Sequence, residues 1–101
     1  MTREVHLSDE FLISAIREFR AERGPNGEPS VQDFLDIDLE SIKFTLSELW
    51  DVLDHWQSHS LYRHRYVQGK VAYLYYVIGR ELSDGSIELL ELEVDHDRPT
   101  P

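Results

Sequence analysis

The chain has 101 residues and no cysteine, with 41% hydrophobic and 30% charged residues. This length suits a single domain, and the composition supports a packed core and argues against disorder. The absence of cysteine excludes a disulfide framework and a thiolate metal site. The formal net charge is −10, from 20 acidic and 10 basic residues. Such a chain should be repelled by nucleic-acid phosphates unless its positive charge is collected in one place.

The charges are unevenly distributed along the chain. Residues 28–54 contain eight acidic residues and one basic residue, a net charge of −7. Residues 55–80 contain four basic residues and no acidic one, and residues 81–97 contain seven acidic residues and no basic one. Two interpretations remain open: the acidic segments are a solvated surface that aids solubility, or they form a face that docks a basic partner.

Neither a signal peptide nor a membrane span is expected. Residues 1–6 lack the apolar run of a signal peptide. The apolar run at residues 71–78 is far shorter than the roughly 20 residues that cross a bilayer. We therefore expect a soluble, cytoplasmic protein without membrane association.

The beginning of the chain predicts a short strand followed by a helix. Val5 and Leu7 alternate with polar residues, which is typical of a strand. Ser8 is a favourable N-cap for the helix. Apolar residues then recur at helical spacing, at Phe11, Leu12, Ala15, Ile16 and Phe19. The helix is expected to run to about Arg23, because Gly24 provides a C-terminal cap.

Two further helices are predicted in the first half of the chain. Ser30 and Asp33 have the spacing of a capping box and begin a short helix. Asp38 is expected to cap the main helix, which runs from about Leu39 to Gln57. The apolar residues of this helix form one stripe, at Leu39, Ile42, Leu46, Leu49, Leu53 and Trp56. The stripe predicts that the main helix packs on a sheet.

After residue 60 the apolar period changes to two, which predicts a three-stranded β-meander. Its strands are expected at residues 61–67, 71–78 and 86–94. The middle strand is apolar on both faces, which indicates a central strand covered on both sides. The Asp84-Gly85 pair predicts a tight turn before the last strand.

Strict alternation assigns the faces of the last strand. One face is predicted to carry Leu90, Leu92 and Val94. The other face is predicted to carry Ile87, Leu89, Glu91 and Glu93.

The predicted fold is therefore α+β. Helices pack on one face of a three- to four-stranded antiparallel β-meander, and the order of elements is β-α-α-α-β-β-β. One domain spans residues 1–101. Its helical half covers about residues 8–58, the β-meander about residues 61–95, and a polar tail residues 96–101.

Two groups of polar residues have spacings that bear on chemistry. Asp51, His55 and His59 follow one another at intervals of four residues, so they form either a metal site or ordinary contacts on a solvated helix face. The Asp-His-Asp sequence at residues 95–97 is either a general base flanked by carboxylates or a polar strand end. We favour the structural interpretation for both groups and expect no metal and no cofactor.

Five tyrosines accompany Arg63 and Arg65 in the predicted sheet. They are Tyr62, Tyr66, Tyr73, Tyr75 and Tyr76. Such a surface is suited to base stacking with phosphate neutralisation, and tyrosine is equally typical of an ordinary half-buried sheet. The structural interpretation and the net charge of −10 both argue against nucleic acid as a partner.

Phe44 is the residue of the main helix that the apolar stripe does not explain. At 100° per residue it lies opposite that stripe, in the company of Glu40, Glu48, Asp51 and His55. An apolar ring among carboxylates suits a binding hot spot with a charged rim. The alternative is that the short preceding helix covers the ring. The first hypothesis for function is a small acidic, non-catalytic interaction domain that binds a basic protein through these residues, and a homo-oligomer is also open.

Four segments resemble the RelE/ParE superfamily of small toxins, including its HigB-like branch. They are residues 4–11 (EVHLSDEF), 61–67 (LYRHRYV), 71–78 (VAYLYYVI) and 87–96 (IELLELEVDH). Members of the superfamily pair a helical N-terminal half with a β-meander, which is also the order of elements expected for this chain.

The resemblance implies a second hypothesis for function, a toxin of a toxin-antitoxin module that acts on RNA or on a protein target. RNA-cleaving members carry Arg and Lys on the sheet, and the positions that match here are Arg63, Arg65, Lys70 and Arg80. The basic end of the family's last strand is replaced in this chain by Asp-His-Asp at residues 95–97. The interaction domain is therefore the first hypothesis and the toxin the second.

Overall fold

A computed structural model describes residues 3–55 and 61–96 of the chain. In the described part, the strands are β1 (Val5–Leu7), β2 (Asp54–His55), β3 (Tyr62–Gln68), β4 (Leu74–Glu81) and β5 (Ile87–Asp95). The helices are α1 (Asp9–Glu18), α2 (Val31–Asp33) and α3 (Leu39–Leu49), with a π-helical turn at Phe34–Asp38 and a 3-10 turn at Trp50–Val52. The α+β class is confirmed.

The strands form one mixed sheet in the order β1-β5-β4-β3-β2 over the described residues. β1 pairs with β5 in parallel, with Val5 opposite Ile87 and Leu7 opposite Leu89, whereas the other neighbours are antiparallel. The prediction of a purely antiparallel meander is therefore wrong at one edge. Nearly the whole chain lies between β1 and β5. This long connection allows β5 to enter the sheet in the same direction as β1.

Helix α1 begins as predicted and ends earlier. The Ser8 hydroxyl accepts a hydrogen bond from the backbone N–H of Phe11, as an N-cap does. The helix ends at Glu18 rather than near Arg23, because Phe19 turns into the core with extended backbone and stacks on Phe34 with ring centroids 5.1 Å apart.

The two helices predicted between residues 30 and 57 form one helical segment in the structure. α2 begins with the predicted capping box of Ser30 and Asp33, and the π-helical turn leads directly into α3. Asp38 does not cap α3, because its side chain makes no capping hydrogen bond there. The order β-α-α-α-β-β-β is accordingly wrong in its helix count, since a single segment replaces two of the helices.

The main helix also ends earlier than predicted, at Leu49 rather than Gln57. The 3-10 turn follows, and Leu53 then adopts extended backbone that leads into β2. Arg63 donates from Nη1 to the carbonyl oxygens of Trp50 at 2.9 Å and Leu53 at 3.2 Å, so a strand side chain satisfies the last carbonyls of the segment. Trp56 and Gln57 lie outside the described residues.

The carboxylate of Asp38 ties the π-helical turn to the turn between β3 and β4. It accepts hydrogen bonds from the backbone N–H groups of Lys70 and Val71, at 2.9 and 2.8 Å, and from the hydroxyl of Tyr75. Only 2% of Asp38 is exposed. Because these two N–H groups bind a carboxylate rather than a neighbouring strand, β4 begins at Leu74, three residues later than predicted.

A β-bulge changes the predicted faces of β5. Ile78 lies opposite Glu91 and Gly79 lies opposite Leu89, so Leu90 is an extra residue in the ladder. The prediction that Leu92 and Leu89 occupy opposite faces is wrong, because both are fully buried against the helical layer. The predicted turn at Asp84-Gly85 is confirmed, with Gly85 at a φ of 85°.

The π-helical turn and α3 pack on one face of the sheet, whereas α1 packs along β5 and directs Phe11 and Ala15 into the same core. The core lies between these layers and centres on the fully buried side chains Trp50, Tyr75, Phe11, Phe34, Ile42 and Leu46. The prediction that β4 is covered on both sides is wrong, since Leu74, Tyr76 and Ile78 remain half-exposed on the other face. None of the described helices is long and apolar enough to cross a membrane.

We expect Gly69→Ala to lower the free energy of unfolding by about 2–4 kcal/mol, as overpacking and the loss of a buried hydrogen bond do. A Cβ at Gly69 would collide with the ring of Tyr75 and lie 2.7 Å from both the Ala72 carbonyl oxygen and the Asp38 carboxylate. Gly27→Ala is the matched control: its φ is +82° with open space around it, so we expect about 1 kcal/mol of backbone strain. Urea denaturation measures the free energy of unfolding of both variants. Equal losses of stability in the two would contradict the explanation that Gly69 is closely packed.

Candidate functional site

Phe44 projects from α3 on the side away from the core. Its side chain is 65% exposed, whereas Ile42 and Leu46 on the opposite side of the helix are fully buried. The short helix α2 does not cover the ring. Phe34, at the beginning of the π-helical turn, instead points into the core, where its ring centroid lies 5.4 Å from that of Tyr75.

A second apolar side chain accompanies Phe44 and was missed from the sequence. Ile37 is 49% exposed and precedes Phe44 by seven residues, which is about two helical turns. The seven-residue interval between Ile37 and Phe44 is visible in the sequence. Because the main helix was predicted to begin at Leu39, however, Ile37 was not assigned to the same surface. Because the π-helical turn joins α2 to α3 without a break, both side chains belong to one outer surface.

Three carboxylates accompany Phe44 at helical spacing on this side of the segment. Glu40 and Glu48 are exposed on α3, and the Glu40 carboxylate lies 3.6 Å from the ammonium group of Lys43. Asp51 lies in the 3-10 turn, where its carboxylate binds the guanidinium of Arg3 at 2.8 Å and stays largely exposed. We name the surface formed by Ile37, Glu40, Phe44, Glu48 and Asp51 the Phe44 face.

Arg3 connects the Phe44 face to the strand side of the molecule. Its backbone N–H donates to the Ser47 hydroxyl at 2.8 Å, and its Nη1 donates to the Gly85 carbonyl oxygen at 2.6 Å. The same guanidinium binds Asp51. This residue therefore fixes the end of α3 against the β4–β5 turn and partly neutralises one carboxylate of the face.

The predicted histidines of this region separate from the helix. His55 lies in β2, where its backbone pairs with that of Arg63, and no longer continues the helical spacing from Asp51. His59 and Asp97 lie outside the described residues. His96 lies beside α1, with its Nε2 at 2.9 Å from the Glu18 carbonyl oxygen and its ring edge-on to Phe19.

The four basic residues matched to the toxin superfamily do not gather on one face. Arg63 and Arg65 lie on the helical side of the sheet, where the guanidinium of Arg63 sits 5.6 Å from the ring centroid of Trp50. Arg80 lies on the opposite side, and its ion pair with Glu88 at 2.6 Å raises the pKa of the guanidinium. Lys70 is exposed in the β3–β4 turn.

The tyrosines are divided between the same two sides. Tyr75 is fully buried in the core, and burial together with its hydrogen bond to Asp38 raises the pKa of its hydroxyl far above the usual range. Tyr62, Tyr66 and Tyr76 lie on the opposite side, with the rings of Tyr66 and Tyr76 4.9 Å apart. Tyr73 is half-buried in the turn before β4. A continuous stacking platform of all five rings is not formed.

Comparisons of the chain with models of known families, with curated proteins and with solved structures found no match. Within residues 3–55 and 61–96, no group of three or more His, Asp or Glu side chains is arranged to hold a metal ion. The function proposed below therefore rests on the geometry of the Phe44 face.

We expect Phe44→Ala to change the free energy of unfolding by less than about 0.5 kcal/mol, as surface substitutions usually do. The reason is that most of the ring contacts solvent. Phe34→Ala is the control, because that ring is fully buried and its truncation should cost about 3–5 kcal/mol. Chemical denaturation of both variants tests the difference, and a loss above about 2 kcal/mol for Phe44→Ala would show that the ring is part of the core.

Proposed function

We propose that this protein is a non-catalytic interaction domain that binds a basic protein partner through the Phe44 face. The observation that carries the proposal is the 65% exposure of Phe44 among carboxylates, on a helix whose other side is fully packed. An aromatic ring supplies contact area that is desolvated on binding, and a charged rim excludes competing partners.

The helix that presents Phe44 is held in place before any partner arrives. Ile42 and Leu46 anchor α3 in the core, Arg63 satisfies the carbonyl oxygens beyond its end, and Arg3 joins its last turns to the β4–β5 turn. A surface that is already ordered loses little conformational entropy on binding. This favours the Phe44 face as a binding surface over a mobile loop.

Electrostatics favours a basic partner. The chain has a net charge of −10, and Glu40, Glu48 and Asp51 surround the exposed ring. Lys43 pairs with Glu40 and Arg3 pairs with Asp51, so the long-range attraction comes from the whole protein as well as from these carboxylates. Such attraction accelerates association and weakens as salt is added.

The partner that fits is a polypeptide with one or two apolar side chains flanked by Lys or Arg. Ile37 and Phe44, two helical turns apart, would each receive an apolar side chain. An RNA-cleaving toxin is the less supported alternative, since Arg63 and Arg80 lie on opposite sides of the sheet and each already has a partner.

The test is a selection of binding peptides from a random displayed library, followed by titration of the enriched peptides. We expect the enriched sequences to be basic, and Phe44→Ala to weaken their binding by about 1–3 kcal/mol, as truncation of a hot spot does. Ile16→Ala is the matched control, because that side chain is equally exposed (63%) on α1, outside the Phe44 face. It should leave the affinity unchanged.

Charge reversal provides a second readout of the same proposal. Glu48→Lys should lower the association rate and reduce its dependence on salt, because it removes attraction for a basic partner. Asp51→Lys should act in the same direction, and it would in addition break the ion pair with Arg3. Enriched peptides that are acidic, or that bind Phe44→Ala as tightly as the wild type, would contradict the proposal.

A further inference from the structure

A groove lies on the side of the sheet opposite α3, and it is bounded by α1 and by residues of β3, β4 and β5. It has a volume of about 610 Å³, and its apolar lining comes from Ile13 of α1, Tyr62 of β3, Ile78 of β4 and Leu90 of β5. Ile13 is 59% exposed. The bulge in β5 helps to form the groove, because the extra residue Leu90 takes part in its lining.

The apolar surface continues beyond this groove along β4. A second depression is lined by the apolar residues Leu74, Tyr66, Tyr76 and Val94. Ile78, Tyr76 and Leu74 follow one another at intervals of two along the strand, so the strip extends about 14 Å. About nine residues of an α-helix span that length. We name the surface formed by both depressions the open sheet face.

Acidic side chains border this strip along β5. Glu91, Glu93 and Asp95 lie opposite Ile78, Tyr76 and Leu74 in the β4–β5 ladder. Cross-strand neighbours in a ladder share a face of the sheet, so these carboxylates line one side of the strip. Glu10 of α1, which packs along β5, also lines the groove.

Among the described residues, two basic side chains line the groove. The Arg80 guanidinium is already paired with Glu88 at 2.6 Å, and Arg17 is the other basic residue that lines the groove. The open sheet face is thus an apolar strip with a carboxylate border. The charge of −10 on each chain opposes its occupation by a second copy, because two such faces would repel each other.

We propose that the open sheet face binds an amphipathic α-helix of a partner protein, with apolar side chains on the strip and Lys or Arg beside the β5 carboxylates. A helix fits because helices cover the apolar faces of sheets, and the groove between α1 and the strands would give it a defined position. Tyrosine rings beside the carboxylates add cation–π contacts to the basic side chains. This surface goes beyond the Phe44 face and lies on the opposite side of the molecule, so the two can be occupied together.

The probe is a synthetic 18-residue peptide of leucine and lysine with an amphipathic helical pattern, and its control is the same pattern with glutamate in place of lysine. Fluorescence anisotropy should show binding of the lysine peptide and none of the glutamate peptide. Ile13→Ala, Tyr66→Ala and Glu93→Lys should each weaken binding about fivefold or more. Phe44→Ala should change it less than about twofold, as near-neutral positions outside an interface do.

Three outcomes would overturn this proposal. The first is equal affinity for the two peptides, which would remove the role of the β5 carboxylates. The second is loss of binding in Phe44→Ala with full retention in Ile13→Ala and Tyr66→Ala, which would place the helix on the Phe44 face and leave the proposed function intact. The third is dimerisation of the wild type in sedimentation experiments that Ile13→Ala and Tyr66→Ala both abolish, because the occupant would then be a second copy.

Discussion

The structure depends on one buried carboxylate. Asp38 ends the π-helical turn, is almost completely removed from solvent, and accepts hydrogen bonds from Lys70, Val71 and Tyr75. A buried charge is costly unless it is fully hydrogen-bonded, and these three donors provide that compensation. These hydrogen bonds join the helical layer to the β3–β4 turn at one defined point. They also bring the backbone of Gly69 into close contact with the ring of Tyr75.

The position of Asp38 also determines which surfaces are free. With the π-helical turn fixed, Phe34 enters the core and Ile37 stays outside, so α3 places Ile42 inward and Phe44 outward. The π-helical turn and α3 pack on the same side of the sheet, which leaves the other side available except where α1 borders it. The two proposed binding surfaces are therefore consequences of one arrangement: a single helical layer held on a mixed sheet.

Local sequence determines some of these features and not others. The N-cap Ser8, the Asp84-Gly85 turn and the outward position of Phe44 depend on neighbours within a few residues, and each could be predicted. The role of Asp38 could not, because its donors lie more than 30 residues away and a helix cap was an equally good use of the side chain. The bulge at Leu90 depends on the register in which β5 pairs with β4. The alternation of apolar and polar residues within β5 alone carries no information about that register.

The most direct test of the central claim is a double-mutant cycle between Asp38→Asn and Tyr75→Phe, measured by urea denaturation. Asp38→Asn keeps the shape of the side chain but removes its charge and one acceptor oxygen, and Tyr75→Phe removes only the hydroxyl group. We expect Asp38→Asn to cost about 2–4 kcal/mol, because an amide cannot accept all three bonds. The two changes should couple by about 0.5–3 kcal/mol, as residues in one buried network do. Additive effects, or a loss for Asp38→Asn below about 0.5 kcal/mol, would contradict the claim that this carboxylate joins the two layers.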